Sequence, residues 1–87
     1  MAITPEQLSE ATRILGESDS VRAAAAAIRE RFAPVRALVL DPFDMKDEQP
    51  VAEAGQQRAL YLMATDGHCW TVTREPAQAH AFVLTQA

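Results

Sequence analysis

A helical repeat of apolar residues near the N-terminus predicts a first helix. The repeat has the three- and four-residue spacing of an amphipathic helix, and it comprises Leu8, Ala11, Ile14 and Leu15. Ahead of it, Thr4 is suited to be the N-cap, Pro5 to take the first helical position and Gln7 to complete a capping box. Gly16 follows the repeat and favours a stop at the C′ position. We therefore expect the first helix to end just before Gly16.

A second apolar repeat, bounded by serines and a proline, predicts a second helix. Its members fall at i, i+4, i+7 and i+11 on one helical face, and they are Val21, Ala25, Ile28 and Phe32. Ser18 or Ser20 is suited to be the N-cap, and Pro34 disfavours helical backbone in the residue before it. The alanine run at 23–27 indicates high helix propensity; the alternative is close approach of this helix to a sheet or a partner.

Short runs rich in β-branched and aromatic residues predict strands in the rest of the chain. One run covers residues 35–40, two more form a hairpin over 58–73, and a last one covers 81–85. For residues 77–80, a short helical turn is an alternative. Residues 41–57 hold two prolines and a glycine, and they are predicted to be a long connection, which in a compact domain is usually functional or disordered.

The order of these elements predicts an α+β fold. Two N-terminal helices are expected to pack on one face of a small, mostly antiparallel sheet of three or four strands. A chain of 87 residues suits a single domain, so the domain is assigned to residues 1–87.

The hairpin has a predicted turn and therefore a predicted register. Asp66-Gly67 suits a two-residue type I′ turn, which places Ala64 opposite Cys69 and Met63 opposite Trp70. Opposed residues share a face. One face then carries Tyr61, Met63, Trp70 and Val72, and the other carries Leu60, Leu62, Ala64, Cys69, Thr71 and Thr73. Neither face is plainly polar.

The charge distribution argues against nucleic acid as a partner. The net charge is −4, and residues 37–57 carry five acidic groups (Asp41, Asp44, Asp47, Glu48 and Glu53) against Lys46 alone. Phosphate binding needs a basic patch, and none stands out in the sequence. The single cysteine excludes an internal disulfide. The N-terminus lacks the features of a signal peptide, and no apolar run approaches the roughly 18 residues of a membrane span. A cytoplasmic protein is expected.

The candidate reactive side chains form no recognisable catalytic or metal-binding pattern. His68 and Cys69 are neighbours on a predicted strand and point to opposite faces, so they cannot act as a base and a nucleophile together. Neither residue has metal-ligand spacing with His80. We expect Cys69 to be a buried apolar filler and His68 a polar residue beside the turn. The aromatic cluster of the hairpin consists of Tyr61 and Trp70, with Phe82 as an optional third member, and it is interpreted as core, with a ligand site as the alternative.

The acidic segment also lacks the spacing of a known site. Calcium loops place acids at alternating positions with a glycine at the sharp turn, whereas these acids are three apart. Two interpretations fit the acidic segment: a solvated loop, or a docking segment for a basic patch on a partner. Because no phosphate loop, nucleophile elbow or carboxylate pair is present, we predict a non-enzymatic protein without a cofactor or a metal.

Two segments carry a family resemblance. Residues 41–50 read Asp-Pro-Phe-Asp-Met-Lys-Asp-Glu-Gln-Pro, and residues 66–73 read Asp-Gly-His-Cys-Trp-Thr-Val-Thr. Over roughly residues 35–85, the chain resembles the small nitrogenase-associated accessory proteins encoded in nitrogen-fixation gene clusters. The resemblance implies a small non-catalytic cytoplasmic protein that docks on the molybdenum–iron nitrogenase component or on an assembly intermediate of it. The resemblance does not identify individual functional residues in this chain.

The function predicted from the sequence is binding to a larger protein through the acidic loop and an apolar face or edge of the sheet. The residues expected to contact the partner are Asp41, Phe43, Asp44, Met45, Asp47, Glu48 and Trp70. One alternative is a small-molecule or metal-binding sensor that uses a pocket between the hairpin and the helices, with His68, Cys69 and Trp70 near it. Another is a self-associating structural domain, which would make the protein a homo-oligomer.

Overall fold

The computed structural model describes residues 3–55 and 57–87, in which two helices precede a five-stranded sheet. The elements are α1 (Pro5–Glu17), α2 (Val21–Arg31), β1 (Arg36–Val39), β2 (Ala52–Ala54), β3 (Arg58–Thr65), β4 (Trp70–Thr73) and β5 (Ala81–Gln86). Two 3-10 turns lie at Pro42–Met45 and Pro76–Gln78. The α+β prediction is confirmed, with more strands than the three or four expected.

The start of α1 follows the sequence signal closely. The Thr4 hydroxyl accepts a hydrogen bond from the Gln7 amide at 3.1 Å, and the Gln7 side chain accepts one from the Thr4 amide at 3.0 Å. These two bonds form a complete capping box. The predicted end is wrong, because α1 continues through Gly16 to Glu17 and has Ser18 as its C-cap. A Cβ at position 16 would lie 3.5 Å from the Cβ of Ala54, so Gly16 lies where α1 approaches β2.

The boundaries of α2 agree with the prediction, and Ser20 rather than Ser18 is the N-cap. The Ser20 hydroxyl accepts a hydrogen bond from the Ala23 amide at 3.0 Å. The helix ends at Arg31, with Phe32 as the C-cap. Ala25 and Ile28 are fully buried, which confirms the predicted apolar face.

The sheet has the order β1-β5-β3-β2, and β4 also pairs with β3. The central strand β3 pairs with β5 along one edge, and its other edge is shared by β2 and β4. Among the strands of residues 3–55 and 57–87, β1 and β5 are parallel to each other, and the other pairs are antiparallel. The prediction that residues 41–57 form a long connection is wrong, because these residues contain a 3-10 turn and strand β2.

The hairpin register differs from the prediction by two residues. Thr65 pairs with Trp70 and Met63 with Val72, so the loop between β3 and β4 covers residues 66–69. Gly67 has a positive φ of 100°, as expected, whereas Asp66 does not have a positive φ. The turn is therefore not of type I′, which requires a positive φ at both positions. Side chains alternate with a period of two, so a two-residue shift leaves the residues that remain in β3 and β4 on their predicted faces, whereas Cys69 now lies in the loop.

The helices cover one face of the sheet and build the main core. Leu60, Leu62, Phe82 and Leu84 are inaccessible to solvent there, and they pack with the apolar faces of α1 and α2. The rings of Phe32 and Phe82 lie 6.1 Å apart between their centroids. The opposite surface of the sheet, called the open face below, carries a second and smaller cluster of Met45, Tyr61 and Val83.

Candidate functional site

The open face is partly covered by the 3-10 turn that follows β1. Met45 is only 5% exposed and packs with Tyr61 and Val83, so it attaches this turn to the sheet. Of the predicted contact residues, Met45 therefore lies beneath the surface, where its role is to position the segment around it. The neighbouring residues of the turn remain in solvent.

The exposed large apolar side chains lie on the open face, at its margins and on the turn above it. They are Leu38 (46% exposed), Leu40 (37%), Phe43 (69%) and Trp70 (45%). Leu38 pairs with Val83 in the register of β1 and β5, and Val83 pairs with Tyr61 in β3. Trp70 lies across the sheet, on β4. Exposed aromatic side chains beside a small buried cluster are typical of protein-binding surfaces.

The acidic segment, residues 41–48, is held in shape by one of its own carboxylates. Asp41 accepts a hydrogen bond from the Phe43 amide at 2.8 Å and caps the 3-10 turn. Asp44, Asp47 and Glu48 are exposed, and within residues 3–55 and 57–87 they form no ion pair. Lys46 places its ammonium 4.6 Å from the centre of the Phe43 ring. The segment therefore presents free carboxylates next to an exposed aromatic ring.

The loop between β3 and β4 exposes the cysteine. Cys69 is solvent-exposed, so the prediction of a buried apolar filler is wrong; the longer loop moves it out of the strand. The Asp66 carboxylate accepts hydrogen bonds from the amides of Cys69 at 3.0 Å and His68 at 2.9 Å. These two amides hold the pKa of the Asp66 carboxyl below its usual value, and the Cys69 amide has the larger effect. They lower the pKa because they stabilise the ionised form.

The residues proposed for a ligand or metal pocket lie apart. Trp70 and Tyr61 belong to the open face, whereas Phe82 is buried on the helix side, so these three rings do not form one cluster. His68 and Cys69 lie in the exposed loop and not between the hairpin and the helices. Within the described ranges, no group of three or more His, Cys, Asp or Glu side chains is arranged to hold a metal ion.

Two arginine features were not recognised from the sequence. Arg58 is buried at the start of β3 and contacts the end of α1. Arg22 and Arg29, seven residues apart on α2, lie beside the outer edge of β1. Their i, i+7 spacing places them on one helical face and was a readable signal, whereas the role of Arg58 depends on the packing of α1 against the sheet.

Comparison of the chain with protein-family models, with curated proteins and with solved structures gives no match. In the part of the chain that the structure describes, neither helix has the length and apolar character required to cross a bilayer.

Proposed function

We propose that this protein is a non-catalytic interaction module that binds a larger protein through its open face and its acidic segment. The observation that carries the proposal is the exposure of Phe43 (69%) and Trp70 (45%) together with free carboxylates on the same segment as Phe43. Aromatic side chains supply most of the binding energy at many interfaces, while exposed charges steer the encounter.

The resemblance to nitrogenase-associated accessory proteins supports the molybdenum–iron component of nitrogenase, or an assembly intermediate of it, as the first partner to test. The proposed contact residues on the surface are Asp41, Phe43, Asp44, Asp47, Glu48 and Trp70. Met45 contributes by fixing the 3-10 turn on Tyr61 and Val83. In this arrangement, the partner supplies a basic patch opposite the acidic segment and an apolar recess for the two exposed rings.

The test measures association and dissociation rates with the purified molybdenum–iron component, or with a partner recovered from native cells. Neutralising Asp44→Asn, Asp47→Asn and Glu48→Gln together should lower the association rate about threefold to tenfold at low salt. Salt should slow the wild-type association and leave the triple variant nearly unaffected. Trp70→Ala should mainly raise the dissociation rate, because apolar anchors act after the encounter.

The matched control neutralises three exposed acids elsewhere: Glu6→Gln, Asp19→Asn and Glu30→Gln. It changes the net charge by the same amount and should have a much smaller effect on the association rate. Equal rates for the wild type and the Asp44/Asp47/Glu48 variant would show that the acidic segment is only a connection. Light scattering on the isolated protein tests the alternative of self-association, since a stable dimer that buries Trp70 would assign the open face to a second copy.

A further inference from the structure

A groove runs along the outer edge of β1, between this strand and α2. It consists of two adjoining recesses of about 310 and about 280 Å³, which share Arg29 and Leu38. The first recess also contacts Arg22 and Val39, and the second extends along residues 33–37. We call this feature the β1 groove; it lies at the opposite edge of the sheet from β4 and Trp70.

The β1 groove is strongly basic, although the whole protein is acidic. Arg22, Arg29 and Arg36 line it, and neither recess contains an acidic residue. Within residues 3–55 and 57–87, none of these three arginines forms an ion pair. Guanidinium groups without a carboxylate partner favour a ligand with carboxylates, which they bind with two parallel hydrogen bonds.

The backbone of β1 is available for pairing on this side. β1 is the terminal strand of the sheet and pairs only with β5 in the described chain. The Leu40 amide donates to Leu84 in β5, and successive residues of a strand direct their backbone groups to alternate sides. Ala37 and Val39 therefore direct theirs into the groove. Consistent with this, the Ala37 carbonyl accepts a hydrogen bond from Arg29 Nε at 2.8 Å.

We propose that the β1 groove binds an extended acidic peptide segment of a partner protein, which adds to the sheet as a sixth strand beside β1. Strand addition to an open edge supplies main-chain hydrogen bonds, and side-chain pockets supply specificity. Arg29 exchanges its bond to the Ala37 carbonyl for a carboxylate of the peptide, and the peptide backbone then takes over that carbonyl. Arg22 binds a second carboxylate on the same side.

Strand geometry specifies the pattern of the peptide. Its side chains alternate between the two faces of the sheet. Those on the helix side meet Arg22 and Arg29 and are acidic. Those on the other side meet Leu38, which is 46% exposed, and are apolar; at the start of β1, where Arg36 lies on the same face as Leu38, an acidic side chain is also accepted. Charge favours this occupant over a second copy of the chain, because twofold pairing of β1 with β1 brings two sets of arginines together, and like charges across a strand pair are destabilising.

The probe is the peptide acetyl-Val-Glu-Val-Glu-Val-amide, titrated into the ¹⁵N-labelled protein and followed by amide chemical shifts and by calorimetry. The expected result is saturable binding, with the largest shifts at Ala37 and Val39. Arg22→Gln combined with Arg29→Gln should weaken binding at least about tenfold. Arg74→Gln, on an exposed arginine after β4, is the control at a distant site and should bind like the wild type.

Three further measurements distinguish strand addition in the groove from simple charge attraction and from binding at the open face. A peptide with glutamine in place of glutamate should lose the salt-dependent part of the affinity. The order Val-Val-Glu-Glu-Val should bind more weakly because it breaks the alternation. Trp70→Ala, which tests the open face, should not change peptide binding. The two proposals therefore fail independently, since loss of nitrogenase binding leaves this titration unaffected.

Several outcomes would overturn the proposal. They are equal binding by the Arg22/Arg29 variant, shifts centred on Trp70 instead of β1, or no saturable binding at millimolar peptide. Self-association of the isolated protein that the same double variant abolishes would assign the groove to a second copy. Circular dichroism of each variant establishes that it is folded before its binding is interpreted.

Discussion

Arg58 is the residue whose replacement we expect to be most costly outside the apolar core. Its guanidinium is buried, with 5% of the residue exposed, and it donates hydrogen bonds to the carbonyls of Leu15 (2.8 Å), Ser18 (2.7 Å) and Asp19 (3.2 Å). It also donates to the Gln86 side chain at 2.7 Å. Carbonyls at the end of a helix lack intrahelical partners and carry partial negative charge, so a cation there satisfies several at once.

The perturbation is Arg58→Met, which keeps an unbranched apolar stem and removes all donors. The Leu15 carbonyl is buried, and leaving it without a partner costs about 1–3 kcal/mol. The other three acceptors are partly buried, so water replaces the guanidinium there at a cost of about 0.5–1 kcal/mol each. We therefore expect a loss of about 2.5–6 kcal/mol, a large part of the ~5–15 kcal/mol that stabilises a typical domain.

The assay is equilibrium unfolding in guanidinium chloride, monitored by circular dichroism at the helix band. Arg58→Lys should lose less than Arg58→Met, since the ammonium keeps the charge and three donors. Arg74→Met, at an exposed arginine, is the control and should change the free energy of unfolding by less than about 0.5 kcal/mol. A loss below about 1 kcal/mol for Arg58→Met would refute the argument that the guanidinium stabilises the end of α1.

Two further predictions concern the loop between β3 and β4. Gly67 has a φ of 100°, and a Cβ at this position would meet no other atom within 4 Å, so Gly67→Val should cost about 1–3 kcal/mol through backbone strain alone. The control is Gly55→Val, because position 55 is equally open but has no positive φ. Equal unfolding midpoints for the two variants would contradict the strain at Gly67. Cys69 is exposed, so it should react with a thiol reagent at a rate close to that of the unfolded protein; strong protection of the native thiol would place it back in the sheet.

The local signals in the sequence determined the two helices and the faces of the hairpin. The capping box at Thr4, the serine cap at Ser20 and the apolar repeats act within a few residues, so they are readable without the rest of the chain. The hairpin faces were also predicted correctly although the register was not, because any shift by an even number of residues preserves alternation. The strand at the C-terminus was placed within one residue of its observed end at Gln86.

Tertiary packing decided the features that carry no local signal. β2 consists of Ala-Glu-Ala, residues with low strand propensity. It forms because β4 pairs with only part of one side of β3, which leaves residues 58–60 of β3 to pair with β2. Gly16 is helical at the point where α1 passes close to Ala54, and Arg58 is buried because the packing of α1 against the sheet brings the end of α1 to β3. The β1 groove has the same origin, since Arg29 and Leu38 belong to different elements and line the same recesses only because α2 packs beside an edge strand. Long-range contacts of this kind set what the surface offers to a partner, whereas short-range patterns set only which elements form.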